Sequence, residues 1–233
     1  MRFEYVFDDG GMNLLSSGAL AAIRDFVAQL TVDSSQLTEA TGQPSTVNRQ
    51  PIFVFRSGRP NLFAAGADMA EMQRFTAGDA DAFARLGQET FADIERLPLV
   101  TVCLIDGDCF GGALDLAMAF DLRFATPRTR LAHPGAKLGI VTGFGGTSRW
   151  RRLVDAPAAR RLFLANDVLS AGEAQSLGLV DLVGDSFEDE LTRLESLDPM
   201  QTRFVKELSR HADALSPDNI ALLAERLGAL YLG

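Results

Sequence analysis

The residues with the type and spacing for chemistry cluster where small residues lead into helix-forming stretches. In residues 99–121, LVTVCLIDGDCFGGALDLAMAFD, an apolar strand over Val100–Ile105 is bounded by Pro98 and Asp106-Gly107. A helical pattern takes over at Gly111-Gly112 and runs through Leu114, Ala117 and Met118. The first amide N–H groups of a helix lack a partner within it, and the aligned peptide dipoles add roughly half a positive charge there. Such a junction suits an anion or a developing oxyanion, and glycines let a ligand approach the backbone closely. The same pair also fits a plain strand-to-helix turn. Two further stretches repeat the pattern: Leu62-Phe63-Ala64-Ala65-Gly66-Ala67-Asp68, and Gly143-Phe144-Gly145-Gly146-Thr147. The third lacks the GxGxxG spacing of a dinucleotide loop and the lysine of a Walker loop, so both nucleotide readings are rejected.

Groups able to move a proton are few. Asp115 lies within the helix that starts at Gly112, as a candidate acid or base or as a charge satisfying free helix-start amides. His133 is one of two histidines; an imidazole is a good general base near neutral pH, and it also reads as a turn residue. Asp68 directly follows Ala67 and has the position of a helix-start acid. His211 falls in C-terminal helices and reads as surface.

The elements that must hold these groups follow from periodicity. Phe3, Tyr5 and Phe7 alternate with Arg2, Glu4 and Val6 in a first strand. Ser16 or Ser17 caps a helix with Leu20, Ile23, Val27 and Leu30 on one face. Thr31 to Gln50 is rich in Ser, Thr, Gln, Gly and Pro and reads as a long exposed loop. A second strand spans Ile52–Phe55, and a helix is expected from about Asp79 to Leu97, ended by Pro98. Short strands are expected at Leu122–Ala125 and Leu131-Ala132, and a helix from Ser148 to about Leu153. Another helix, capped by Asp155, ends near Asn166. Ser170-Ala171-Gly172-Glu173 is a capping box for a short helix that stops at Gly178. A last strand covers Leu179–Val183, and helices follow at Phe187–Ser196, Pro199–Ala212 and Pro217–Leu230.

Composition excludes several classes. Of 233 residues 47% are hydrophobic and 23% charged, a globular balance rather than a disordered or membrane one. A net charge of -9 speaks against a nucleic-acid partner; the nearest basic cluster is Arg149, Arg151, Arg152, Arg160 and Arg161. Two cysteines, Cys103 and Cys109, make neither a disulfide framework nor a metal cluster. The opening MRFEYVFDDGG has acids where a signal peptide needs an apolar run, and no stretch of about 18 apolar residues occurs. A cytoplasmic protein with no membrane partner is expected.

In order and spacing, Asn13, LFAAGADMAEM, IDGDCFGGALDLAMAFDLRFA, LGIVTGFGGTSRW and LSAGEAQSLGLVD resemble the crotonase (enoyl-CoA hydratase/isomerase) superfamily over roughly residues 1–185. The resemblance implies an α/β fold, a spiral of ββα units whose core strands form two nearly perpendicular sheets. It places that core at residues 1–190 and a C-terminal helical region, for oligomerisation or pocket cover, at 191–233. It implies a homotrimer or homohexamer acting on a thioester of coenzyme A or of an acyl carrier, with no separate cofactor, since coenzyme A enters with the substrate, and no metal. The amides of Ala67 and Gly112 correspond to the family's oxyanion hole. Asn13, Ala64, Ala65, Gly66, Asp68, Gly111, Gly135 and Thr142 correspond to substrate-binding positions, and Asp115 and His133 are the catalytic candidates.

The sequence departs from the family at its acids. Hydratases of the family carry a glutamate three residues after the oxyanion glycine and a second in a Pro-Glu pair; here these positions hold Asp115 and Gly135, the latter in His133-Pro134-Gly135. The position used by some isomerases, just before the third loop's Gly-Gly-Thr, falls in Thr142-Gly143-Phe144 and has no acid. Classical hydration is therefore in doubt. Isomerisation, decarboxylation or hydrolysis through the same oxyanion is the enzyme alternative, and an acyl-CoA binding or assembly protein without chemistry is the other.

Overall fold

The computed structural model describes residues 1–40 and 49–210. Strand, strand and helix recur along the chain. The first turn is β1 (Arg2–Phe7), β2 (Leu14–Leu15) and α1 (Ser17–Ala40). The second is β3 (Ile52–Ser57), β4 (Leu62–Ala64) and β5 (Gly66–Ala67), then α2 (Met69–Met72) and α3 (Ala77–Arg96). The third is β6 (Val100–Ile105), β7 (Asp108–Phe110) and α4 (Gly112–Ala117). β8 (Leu122–Ala125), β9 (Arg130–Ala132), α5 (Gly146–Arg149), α6 (Ala156–Arg160), β10 (Leu169–Ser170) and α7 (Ala171–Ser176) follow. β11 (Leu182–Val183), α8 (Glu188–Glu195) and α9 (Pro199–Arg210) complete the described chain.

Among the described residues the strands form three sheets. β1-β3-β6-β8-β11 is parallel throughout, β10-β9-β7-β4 is parallel except at its β10–β9 edge, and β2 pairs with β5. Each spiral turn therefore leaves the large sheet and enters a smaller one within a few residues. Gly107 makes the corner between β6 and β7: its φ is +83°, and a Cβ there would collide with the backbone of Asn61. Strand β3 is buried on both faces, which is why it reads as a continuous apolar run. Phe53 and Phe55 enter the main core with α1 and α3, while Ile52 and Val54 meet Leu191 and Leu194 of α8 on the other side.

Local signals place most helices. Ser16, rather than Ser17, caps α1 by accepting from Ala19 N at 3.1 Å, and Leu20, Ile23, Val27 and Leu30 are buried as their spacing predicts. Both Thr76–Asp79 and Ser170–Glu173 form reciprocal capping boxes. Asp155 caps α6, whose chain continues as a wider turn over Arg161–Ala165 and stops at Asn166 with φ +60°.

Three expectations are corrected. The segment from Thr31 begins as helix, not loop, because α1 continues to Ala40; Thr31 even turns its hydroxyl back to Val27 O at 3.1 Å. Polar composition reports exposure to water, and an exposed helix end has the same composition as a loop. The strand expected at Leu179–Val183 is reduced to Leu182–Val183, because the amides of Leu179 and Val180 both close onto Ala174 O at 2.9 and 3.2 Å. Helix α5 starts at Gly146, earlier than expected, and passes into a tighter turn over Trp150–Arg152. The helix expected at Pro217–Leu230, His211 and residues 41–48 lie outside the described residues.

Candidate active site

Two strand-to-helix junctions meet across one gap. Just past β5, Asp68 N donates to Leu15 O of β2 at 3.2 Å, so strand alternation turns the preceding amide, that of Ala67, toward α4. On the other side Gly111 N donates to Ala132 O at 2.9 Å, which fastens the loop to β9. Gly112 is the first residue of α4, so its N–H has no acceptor within the helix, and no side chain caps it from position 111. A Cβ added to Gly112 would lie 3.5 Å from Ala67 N, and one added to Gly66 would lie 3.6 Å from Gly112 N. The two amides thus border a space about one atom wide, kept open by glycine.

A pocket opens from this gap. Its wall includes Ala65, Gly66, Ala67, Gly111 and Gly112 on one side, and residues of the segments 133–135 and 138–144 on the other. His133 is the one wall residue with an ionisable side chain. It is buried, its ring lies 4.7 Å from that of Phe163, and its Nε2 stands 3.3 Å from Asp115 Oδ1. The Cε1–Nδ1 edge faces Gly135, 3.4 Å from where a Cβ on that residue would sit.

Asp115 is brought to the site but stands behind its wall. The carboxylate is fully buried, Oδ2 accepts the Thr142 hydroxyl, and any side chain at Gly146 would collide with it. Asp115, a catalytic candidate from the sequence, thus has no surface in the pocket wall. The third glycine loop packs over the carboxylate and leaves His133 and Thr142 as the groups through which it can act. Burial also pushes the thiols of Cys103 and Cys109 far above their ordinary range, so neither serves as a nucleophile.

Of the expected binding positions, Ala65, Gly66, Gly111, Gly135 and Thr142 lie in the pocket wall. Asn13 does not. With φ +53° and no exposed surface, it donates to Phe7 O at 2.9 Å, Phe63 O at 3.0 Å and Ser57 Oγ at 2.8 Å, pinning β1, β3 and β4 together. Ala64 is buried within β4, and Asp68 caps α2 by accepting from Glu71 N at 3.0 Å. These three are structural because their polar or packing capacity is already used inside the fold. Sequence reading missed Phe83 and Phe144 in the wall. The available signal was one bulky ring set between glycines in Gly143-Phe144-Gly145.

A family model described as enoyl-CoA hydratase/isomerase matches residues 48–214. This chain belongs to the enoyl-CoA hydratase/isomerase family. It is 36% identical over 179 residues to a crotonyl-CoA hydratase of Syntrophomonas wolfei subsp. wolfei, an alignment covering 77% of this chain. The aligned part spans 64% of that relative's length. Among solved structures it is similar to Pseudomonas aeruginosa DspI, with TM-score 0.82, 25% identity, 98% of this chain and 91% of that one covered. An enoyl-CoA hydratase from Bacillus anthracis shares the fold at TM-score 0.81 and 23% identity, covering 95% of this chain and 84% of that one.

For a member of this family the vacant glutamate position is of direct interest, and the geometry says that it cannot simply be refilled. Gly135 has φ −53°, so no left-handed backbone stands in the way. The obstacle is packing: a Cβ would lie 2.8 Å from Ile140 O, while Ile140 N donates to Gly135 O at 2.8 Å. Gly135→Glu is therefore expected to cost about 1–3 kcal/mol as an overpacked site and to add no crotonyl-CoA hydration. Paired urea melts and an enoyl-CoA absorbance assay check both halves; a stable variant with new hydratase activity would show that the turn yields and that Asp115 is reachable. Among the described residues no cluster of three or more His, Cys, Asp or Glu is placed to hold a metal, and no helix is long and apolar enough to cross a membrane.

Proposed function

We propose that the protein moves a proton on an acyl-CoA thioester through an enolate, with His133 as the group that carries the proton. The observation that carries this reading is the placement of one imidazole in the wall of the pocket that Ala67 and Gly112 also line, with its Nε2 3.3 Å from the buried carboxylate of Asp115. The thioester oxygen takes that gap. When a proton leaves the carbon beside the carbonyl, the electron pair moves onto the oxygen, where two fixed N–H donors meet it. Losing one such donor typically costs ~10²–10³ in rate, so the pair is a large part of the catalysis.

One base is enough to lift a proton from one carbon and return it to another of the same enolate. Water addition asks for a further group to hold and orient the water, and Gly135 supplies no side chain for it. The site thus fits shift of a double bond in an enoyl-CoA better than hydration. Hydration stands as a second reading on the strength of the 36% identical relative named crotonyl-CoA hydratase. By its family the protein is read as a cytoplasmic homotrimer or homohexamer, for which light scattering is the check.

The test is incubation with crotonyl-CoA and with a β,γ-enoyl-CoA in deuterium oxide, followed by mass spectrometry and calorimetry. Deuterium entering the acyl chain without added water supports the proton shift, and a hydrated product supports the second reading. Binding with neither exchange nor conversion would make the chain an acyl-CoA binding protein and overturn the proposal. No binding of any acyl-CoA at millimolar concentration would overturn the substrate class as well.

A further inference from the structure

The pocket ends differently at its two sides. Leu138 and Val141 of its rim are exposed to water, whereas Phe144 is buried. The Phe144 ring lies edge-on to Phe83 and Phe91, with centroids 5.1 and 5.6 Å away. It occupies space left by two glycines: a Cβ on Gly87 of α3 would collide with the ring, and one on Gly112 would lie 2.9 Å from it. The backbone under the ring is pinned to the same helix. Gln88 Nε2 donates to Gly143 O at 2.6 Å, and Arg149 donates to Phe144 O at 2.7 Å while pairing with Glu95 at 3.0 Å. A ring fixed by two clamped carbonyls and by edge contacts on both sides is a wall, not a swinging gate.

We propose that Phe144 sets the acyl chain length, closing the inner end of the pocket so that the site takes short-chain acyl-CoA thioesters. This rests on the reading of the Ala67–Gly112 gap as the thioester seat. A chain running inward from a carbonyl held there meets the ring at once, since the ring already touches the position of a Gly112 side chain. Protein interiors are packed without slack, so further methylenes fit only by pushing the ring or the seated carbonyl out of place, which lowers affinity. Removing the ring opens a void between α3 and α4 that is continuous with the pocket, and a longer chain fills it.

The experiment is calorimetric binding of acetyl-, butyryl- and decanoyl-CoA to the full chain and to its Phe144→Leu and Phe144→Ala variants. The wild type is expected to prefer butyryl-CoA over decanoyl-CoA by about tenfold or more, in the range that overpacking a tight interior costs. Both variants are expected to shift that ratio toward decanoyl-CoA, alanine more than leucine. Equal or tighter binding of decanoyl-CoA by the wild type overturns the inference, as does a ratio that the folded variants leave unchanged. If Phe144→Ala does not fold, the wild-type series and Phe144→Leu still decide. Failure of every acyl-CoA to bind any of the proteins is a different outcome: it overturns the thioester seat itself, and this inference with it.

Discussion

His133→Ala is expected to lower turnover of the acyl-CoA substrate by roughly 10²–10⁴-fold, the usual contribution of a positioned acid–base group, with substrate affinity little changed. The wall of the pocket holds no other side chain suited to replace the imidazole near neutral pH. Asp115→Asn tests the partner. The amide preserves size but removes the negative charge that stands 3.3 Å from Nε2, so the imidazolium formed when the ring takes a proton loses its stabilising neighbour. A base whose protonated form is less stabilised takes the proton less readily, so turnover is expected to fall by at least about tenfold. Because both losses act through one imidazole, the double variant should be little worse than His133→Ala alone. Single-turnover rates and affinities of the four proteins check this. If His133→Ala keeps its turnover while Asp115→Asn loses it, the carboxylate acts directly on substrate and the roles assigned here are wrong.

The second large effect is on stability. Arg123 of β8 is almost wholly buried, and its guanidinium donates to Phe120 O at 2.7 Å, Leu179 O at 2.8 Å and Asp181 Oδ2 at 3.0 Å. It thereby ties the end of α4 and the chain after α7 to the large sheet. Arg123→Met keeps an apolar stem of similar length but strands these buried acceptors. Breaking such a network typically costs about 3–5 kcal/mol, which for a chain of this size lowers the melting temperature by roughly 6–20 °C. Asp181→Asn should cost far less, about 1 kcal/mol or below, since that carboxylate is about one-third exposed and water can replace the pairing. Urea denaturation of both variants provides the measure. A loss for Arg123→Met no larger than that for Asp181→Asn would mean that water reaches the orphaned carbonyls.

Much of the fold was legible because its determinants are local. The continuous apolar run of β3 records burial on two faces, the Ser170–Glu173 pair records a helix start, and the glycines at 66, 107, 111 and 112 record places where the backbone turns sharply or passes close to another. A helix end after Thr31 was not legible, because a run of Ser, Thr and Gln has the same composition in a loop and in a helix. Asn13 was misread for a related reason. Its type fits a ligand contact, but a left-handed backbone and three acceptors on β1, β3 and β4 consume the amide within the fold, and neither is written in its neighbours.

The sequence by itself determined where two strand-to-helix junctions rich in glycine and alanine would lie, since small residues at such a junction are a local signal, whereas the direction of the Ala67 amide is set by the pairing of β5 with β2. Which way Asp115 points was decided only by the tertiary structure. Its carboxylate meets Thr142, 27 positions along the chain, beneath a loop whose Gly146 leaves room for nothing larger, and it meets His133 from behind the pocket wall. A residue on a six-residue helix can turn toward a cavity or away from it at little local cost. The packing of distant segments around it fixes the direction, and that packing puts the histidine rather than the aspartate in the pocket wall.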